Sequence, residues 1–154
     1  MATTLKAGDK APGFTSKDQN GEEVSLANFK GKTVILYFYP KDDTPGCTAE
    51  ACDFRDNYQS LIGKGYEVIG VSTDDSKSHK KFETKYSLPF PLIADEDKSI
   101  NEAYGVWAEK NNYGKKYMGT VRTTFIIDAD GIIKEVIEKV DTKNASQQVL
   151  DLIG

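Results

Sequence analysis

Thr33-Val-Ile-Leu-Tyr-Phe-Tyr39 runs directly into Pro40-Lys-Asp-Asp-Thr44-Pro-Gly-Cys47, and this junction decides the fold. The first half is β-branched and aromatic without polar alternation, which suits a strand buried on both faces. Pro40 ends it, and a polar turn follows over residues 41–46. Residues 47–62 then place Ala51, Phe54, Tyr58, Leu61 and Ile62 at helical spacing. Working outward, residues 66–73 read as a second strand and Ser76 to Tyr86 as a polar helical segment. A strand, helix, strand succession of this length favours parallel pairing through a crossover.

Beyond it, Leu88-Pro-Phe-Pro91 breaks the chain, Leu92 to Ala94 is long enough for a short strand, and Ser99 to Tyr104 for a short helix. Residues 105–119, rich in Asn, Gly, Lys and aromatics, read as an excursion over the surface. Thr123–Ile127 and Ile132–Val140 flank Asp128-Ala-Asp-Gly131, a hairpin signal with glycine where positive φ is wanted. Residues 144–153 close the chain as a helix. With no internal repeat and no Ser/Gly-rich linker, the 154 residues are expected to form one domain, 1–154. The expected class is α/β, a central mixed β-sheet flanked by helices on both faces.

Twenty Lys plus Arg against 24 Asp plus Glu gives a net charge of −4, the opposite of a footprint for phosphate backbones, so no nucleic acid partner is expected. No apolar run approaches the roughly 20 residues that a membrane span requires. The N-terminal residues lack the apolar stretch of a secretory signal, so a cytoplasmic, reducing setting is expected. There, two nearby cysteines more naturally carry redox chemistry than a structural bridge.

Cys47 follows Thr44-Pro45-Gly46, which reads as a helix start with Thr44 as N-cap, Pro45 at N1 and Cys47 at N3. Unpaired N–H groups and the positive end of the helix dipole favour a thiolate over a thiol at that position. A lone cysteine is otherwise read as a small buried hydrophobe. An exposed Thr-Pro-Gly turn beside Ala and Glu argues against that setting here. Only two arginines occur, Arg55 and Arg122, and Arg122 precedes the apolar strand 123–127. A permanent cation at that strand end, beside the helix start, would further favour the anion.

Cys52 lies five residues on. In an ideal helix that spacing puts the two Cα atoms about 8.7 Å apart. A disulfide needs less than roughly 7 Å, so the two could pair only if the first turn or more of the helix unwinds. Two states are then expected, reduced with the helix intact and oxidised with it locally melted. Cys52 also has a plain reading as a residue on the helix's apolar face.

Spacing excludes several rivals. Cys-x4-Cys is not a Cys-x-x-Cys dithiol, and no second Cys pair or His pair completes a zinc site. A cysteine hydrolase needs an imidazole partner, and the sole histidine, His79, lies in Ser76-Lys-Ser-His-Lys-Lys81, where a solvated helix face is expected. What remains is a thiolate activated without a base, next to a thiol able to capture its oxidised form, which suits peroxide reduction through a sulfenic acid.

Pro40-Lys-Asp-Asp-Thr44-Pro-Gly-Cys47 resembles the Pro-x-x-x-Thr-x-x-Cys active-site motif of the peroxiredoxins. Thr48-Ala-Glu-Ala-Cys52 narrows the resemblance to the PrxQ branch, the bacterioferritin comigratory proteins. It extends from Gly8-Asp-Lys-Ala-Pro12 through Gly105-Val-Trp107 to Arg122 and Phe125-Ile-Ile-Asp-Ala-Asp-Gly131. The resemblance implies a thioredoxin-like fold and thiol peroxidase activity on hydrogen peroxide and organic hydroperoxides, with no metal or organic cofactor. Carried over by position, it makes Cys47 the peroxidatic nucleophile and Cys52 the resolving cysteine of an intramolecular disulfide. Thr44 and Arg122 hold the peroxide oxygens and the thiolate, and Pro40 shields the pocket from water. Thioredoxin is the implied reductant, and a monomer suffices for turnover.

Each of these residues also has a plain structural reading: Pro40 as strand terminator, Thr44 as N-cap, Arg122 in a strand-end ion pair. Two rival functions remain, a protein disulfide oxidoreductase and a redox-inert binding domain.

Overall fold

The computed structural model describes residues 3–153. In chain order the strands are β1 (Thr15–Lys17), β2 (Glu23–Ser25), β3 (Thr33–Phe38), β4 (Tyr66–Ser72), β5 (Leu92–Ala94), β6 (Trp107–Asn112), β7 (Lys115–Thr120), β8 (Thr123–Ile127) and β9 (Ile133–Ile137). The helices are α1 (Pro45–Asp56), α2 (Tyr58–Gly63), α3 (Ser76–Tyr86), α4 (Ser99–Ala103) and α5 (Ala145–Ile153), with a single 3-10 turn at Leu26–Phe29.

A five-stranded mixed sheet in the order β5-β4-β3-β8-β9 forms the centre. β3 pairs in parallel with β4, and β4 with β5, as the βαβ pattern requires. β8 runs antiparallel to both β3 and β9. β3 is the middle strand, and its period of two feeds two cores. Ile35, Tyr37 and Tyr39 pack with Cys47, Ala51, Phe54, Leu61, Phe82 and Val149 on the face covered by α1, α2, α3 and α5. Val34, Leu36 and Phe38 pack with Ile100, Tyr104, Phe125 and the N-terminal Ala11 and Val24 on the other. The expected double-sided burial of this strand is therefore observed.

Four local expectations need correction. The helical stretch read through to residue 62 is two helices, which break at Asn57, where the backbone N–H and the side-chain amide both donate to the Asp53 carbonyl. The excursion over 105–119 is a regular β6–β7 ribbon. Its two-residue turn, Tyr113-Gly114, has positive φ at both positions (53° and 81°), the twist that closes a tight hairpin. The short β1–β2 hairpin was not expected. His79, expected on a solvated face, is fully buried because it shares the inward side of α3 with Phe82 three residues on. No helix among the described residues is long and apolar enough to cross a membrane.

Candidate active site

The site forms where β3 ends and α1 begins. Thr44 occupies the N-cap with extended backbone (φ −101°, ψ 156°), and Pro45 is the first helical residue, as the sequence reading has it. The Thr44 side chain does not cap the helix, however. Its hydroxyl donates to the Lys41 carbonyl at 2.9 Å, because the tight turn ahead of the helix brings that oxygen within reach. Pro40 stands half-buried at the end of the strand.

Cys47 sits in the first turn of α1 as a free thiol, but its surroundings differ from those expected. The residue is 1 % exposed and joins the core cluster with Tyr37, Ala51 and Phe54. The first turn of α1 packs against the side chains of the central strand β3, so the sulfur is sheltered although the turn before it is open.

Arg122, at the head of β8, reaches that sulfur. Its Nη2 donates to Cys47 Sγ at 3.3 Å, and its Nη1 donates to Glu50 Oε1 at 2.8 Å. Gly46 makes this approach possible: a Cβ built there would lie 3.0 Å from Arg122 Nη2. Burial alone would weaken the guanidinium's hold on its proton, yet Glu50 and the Cys47 sulfur more than offset this.

Glu50 was missed by the sequence reading. It lies one turn after Cys47 on the same helical face, and that i, i+3 spacing was the available signal. Its side chain is fully buried, and burial pushes its carboxyl up to about 7 against the attraction of Arg122. Oε1 is held by Arg122, whereas Oε2 has no partner. Close by, the Tyr37 hydroxyl is also buried and unpartnered, with its phenol held neutral by burial and by the charge of Glu50. Tyr37 fits because β4 carries Gly70 beneath it, where a Cβ would lie 3.0 Å from the phenolic oxygen.

A second cation comes from the ribbon. Lys110 on β6 donates to the Thr120 carbonyl at 2.7 Å, and burial together with the nearby Arg122 charge pushes its amine down. Nothing in its sequence context distinguished it from the other lysines of the segment.

Cys52 lies on the following turn of α1, partly exposed and free. Burial, only partly offset by Arg55, pushes its thiol up. The helix runs unbroken through both cysteines, so they stand apart as expected for the reduced state. Arg55 is occupied elsewhere, by Asp56 and by the Tyr86 carbonyl that ends α3.

The arrangement is a sheltered sulfur with a guanidinium against it, a polar turn before it and a second thiol after it, which suits attack on a small electrophile that leaves with negative charge. Comparison with known proteins agrees. The sequence profile described as the AhpC/TSA family matches residues 7–136. The chain is 48 % identical over 147 residues to Peroxiredoxin Bcp of Escherichia coli strain K12, covering 96 % of this chain and 94 % of that one. Among solved structures, a PrxQ mutant of Xylella fastidiosa superposes with a TM-score of 0.92 at 29 % identity, covering 99 % of this chain and 97 % of the other. A Xanthomonas campestris bacterioferritin comigratory protein, studied as trapped intermediate and ligand complexes for its alkyl peroxide reduction activity, gives 0.84 at 35 %, covering 90 % and 88 %. The five-stranded mixed sheet flanked by helices is accordingly the thioredoxin-like fold of these neighbours, and the chain belongs to the AhpC/TSA family as a thiol-dependent peroxidase of the Bcp/PrxQ peroxiredoxin branch.

Proposed function

We propose that the chain reduces hydrogen peroxide and organic hydroperoxides with Cys47 as nucleophile and Cys52 as the resolving thiol. The observation that carries this reading is the contact of Arg122 Nη2 with Cys47 Sγ in the first turn of α1. The Cys47 sulfur attacks the nearer peroxide oxygen, the O–O bond breaks, and the departing hydroxide or alkoxide takes up the proton given up by the thiol to leave as water or alcohol. Sulfur is left as the sulfenic acid. Arg122 lies where negative charge grows on the leaving oxygen, and its link to Glu50 spares any reorganisation during the step. With its own proton committed to the Lys41 carbonyl, Thr44 offers its oxygen as acceptor for the peroxide O–H. Pro40 closes the water-facing side of the loop.

The Cys52 thiol then attacks the sulfenic sulfur. An S–S bond forms, hydroxide leaves, and with the thiol proton it becomes water. An ideal helix holds the two Cα atoms about 8.7 Å apart, so the first turns of α1 unwind for this step. Unwinding also exposes the disulfide to thioredoxin, whose dithiol returns both cysteines to the reduced form. A monomer of one domain, residues 1–154, contains every group required, and the cytoplasm supplies the reductant. A protein disulfide makes a poor substrate for a sulfur that is 1 % exposed, which disfavours the disulfide oxidoreductase reading.

The test mixes the fully reduced protein with one equivalent of hydrogen peroxide, then counts free thiols and weighs the chain. Both thiols are expected to vanish rapidly into an intrachain bridge. Cys47→Ser abolishes the reaction, whereas Cys52→Ser keeps the first oxidation and accumulates the sulfenic acid. Full thioredoxin-linked turnover by Cys52→Ser would refute its resolving role.

A further inference from the structure

The sole histidine lies outside the groups used above, in a polar cluster behind the active-site loop. His79 on α3 is fully buried, with Nδ1 2.6 Å from Asp42 Oδ2 and Nε2 2.9 Å from the Ile93 carbonyl of β5. A carbonyl oxygen only accepts, so Nε2 carries a proton. The Asp42 carboxylate also only accepts, and it is crowded with donors: the Tyr39 hydroxyl on Oδ1 at 2.6 Å, and the Ser78 hydroxyl on Oδ2 at 2.8 Å beside the ring. Nδ1 therefore donates too. With Asp42 as the carboxylate, both ring nitrogens are donors and the 2.6 Å contact of His79 with Asp42 is a buried ion pair.

Asp42 belongs to the Pro40–Thr44 loop, two residues from each of the groups placed over the sulfur. The loop is fastened on the same side at further points. The Asp42 backbone N–H donates to Asp74 Oδ2 at 2.8 Å, and Asp43 receives Lys85 Nζ and the Tyr86 hydroxyl from the end of α3. Asp43 itself sits at φ 56°, in the left-handed region, so the chain changes direction there by a conformation that its neighbours must hold. The carboxylates of Asp42 and Asp74 accept within the cluster, Asp42 from the ring and two hydroxyls, Asp74 from the Asp42 backbone N–H and the Ser72 hydroxyl, so the donors are matched by acceptors.

We propose that His79 is a positioning residue for peroxide reduction: as a doubly protonated clamp between the Ile93 carbonyl and Asp42, it fixes the Pro40–Thr44 loop over Cys47 and keeps that loop anchored while α1 unwinds. The inference rests on the reading of Cys47 and Thr44 as the peroxide site. The titratable groups that face the ring are Asp42 and Asp74 from the loops after β3 and β4, and the Tyr39 phenol from the end of β3. Burial disfavours the ring's charge, but Asp42, the Ile93 carbonyl and Asp74 together outweigh it and the pKa is raised. As pH climbs past that raised value Nδ1 loses its proton, its lone pair faces the Asp42 carboxylate, and the clamp opens.

With one histidine in the chain, the imidazole nitrogens give unambiguous NMR signals in the wild-type protein. Both are expected at the position of protonated nitrogens at pH 6.5, in the reduced and in the disulfide form alike. An unprotonated nitrogen in the reduced form overturns the clamp, and loss of the protonated pattern on oxidation overturns the anchoring of the loop. In stopped-flow assays against hydrogen peroxide, His79→Gln is expected to slow the first oxidation about tenfold at neutral pH, the scale set by small misplacements of reacting groups. It should also remove the alkaline fall in rate that loss of the Nδ1 proton causes in the wild type. An unchanged rate and profile in His79→Gln overturns the positioning role alone. Absence of any peroxide-driven thiol loss in the wild type overturns the reading of Cys47 instead. Should His79→Gln not fold, the wild-type nitrogen signals decide the matter.

Discussion

Arg122 is held on Glu50 by a 2.8 Å contact between Nη1 and Oε1, and that buried pair aims the other arm of the guanidinium at Cys47. A salt bridge of this kind contributes little net stability once the desolvation of both ions is counted. Its value lies in direction. A planar guanidinium with one arm fixed has a single way to present the other, whereas an exposed arginine would sample many. Among the described residues, Oε2 of Glu50 and the hydroxyl of Tyr37 are the buried side-chain polar atoms without a hydrogen bond, so polar satisfaction is incomplete behind the Cys47 sulfur, the candidate site.

Gly46→Ala is expected to separate activity from stability. The added Cβ would lie 3.0 Å from Arg122 Nη2, and the guanidinium cannot retreat freely while Nη1 is bound to Glu50. In the helix, alanine is favoured over glycine by about 1 kcal/mol, so the fold gains or holds its stability. The rate of thiol oxidation by peroxide should fall about tenfold. Urea denaturation beside stopped-flow oxidation checks both; an unchanged rate would mean that the Arg122 contact with sulfur is not needed in its present geometry.

Oxidation should change one part of the backbone and spare the rest. In the reduced protein the amides of α1 from Thr48 onward donate within an unbroken helix. After one equivalent of peroxide, residues 48–52 are expected to exchange rapidly, while β3 and α3 keep their protection. Hydrogen-exchange mass spectrometry on the two forms reads this directly. Matching patterns across residues 45–55 would require the disulfide to form without unwinding, which the helical spacing forbids.

The residues visible in advance are those whose signals are local. The apolar run of β3, the Thr-Pro-Gly helix start and the spacing of the two cysteines are each readable within a few positions, and all of them sit where expected. Arg122 was legible because arginine is rare in this chain and because the family resemblance extends to it. Glu50 was not, since a glutamate in a helix is normally solvated and only the tertiary contact with Arg122 brings it inside. His79 failed for a related reason. Its lysine neighbours at 77, 80 and 81 mark the outward face of α3, and the period that groups it with Phe82 points inward. The β6–β7 ribbon was hidden by Tyr113 occupying a turn position where asparagine would have announced the hairpin.

Glu50 also makes folding stability depend on pH. Its carboxyl is raised from the ordinary 4.5 to about 7, so the native state binds this proton more tightly than the unfolded chain. Between those values the folded protein holds more protons than the unfolded one, and stability falls as pH rises. The contribution is complete below about pH 4.5 and is lost as pH passes 7, and a shift of this size corresponds to on the order of 3 kcal/mol. Glu50→Gln cannot ionise, yet it keeps a carbonyl oxygen for Arg122 Nη1. Urea denaturation at pH 5 and pH 8 should therefore show the wild type losing stability relative to Glu50→Gln across the interval. Parallel losses in the two proteins would mean that Glu50 is not raised in the folded state, and that Arg122 at least balances burial in setting its charge.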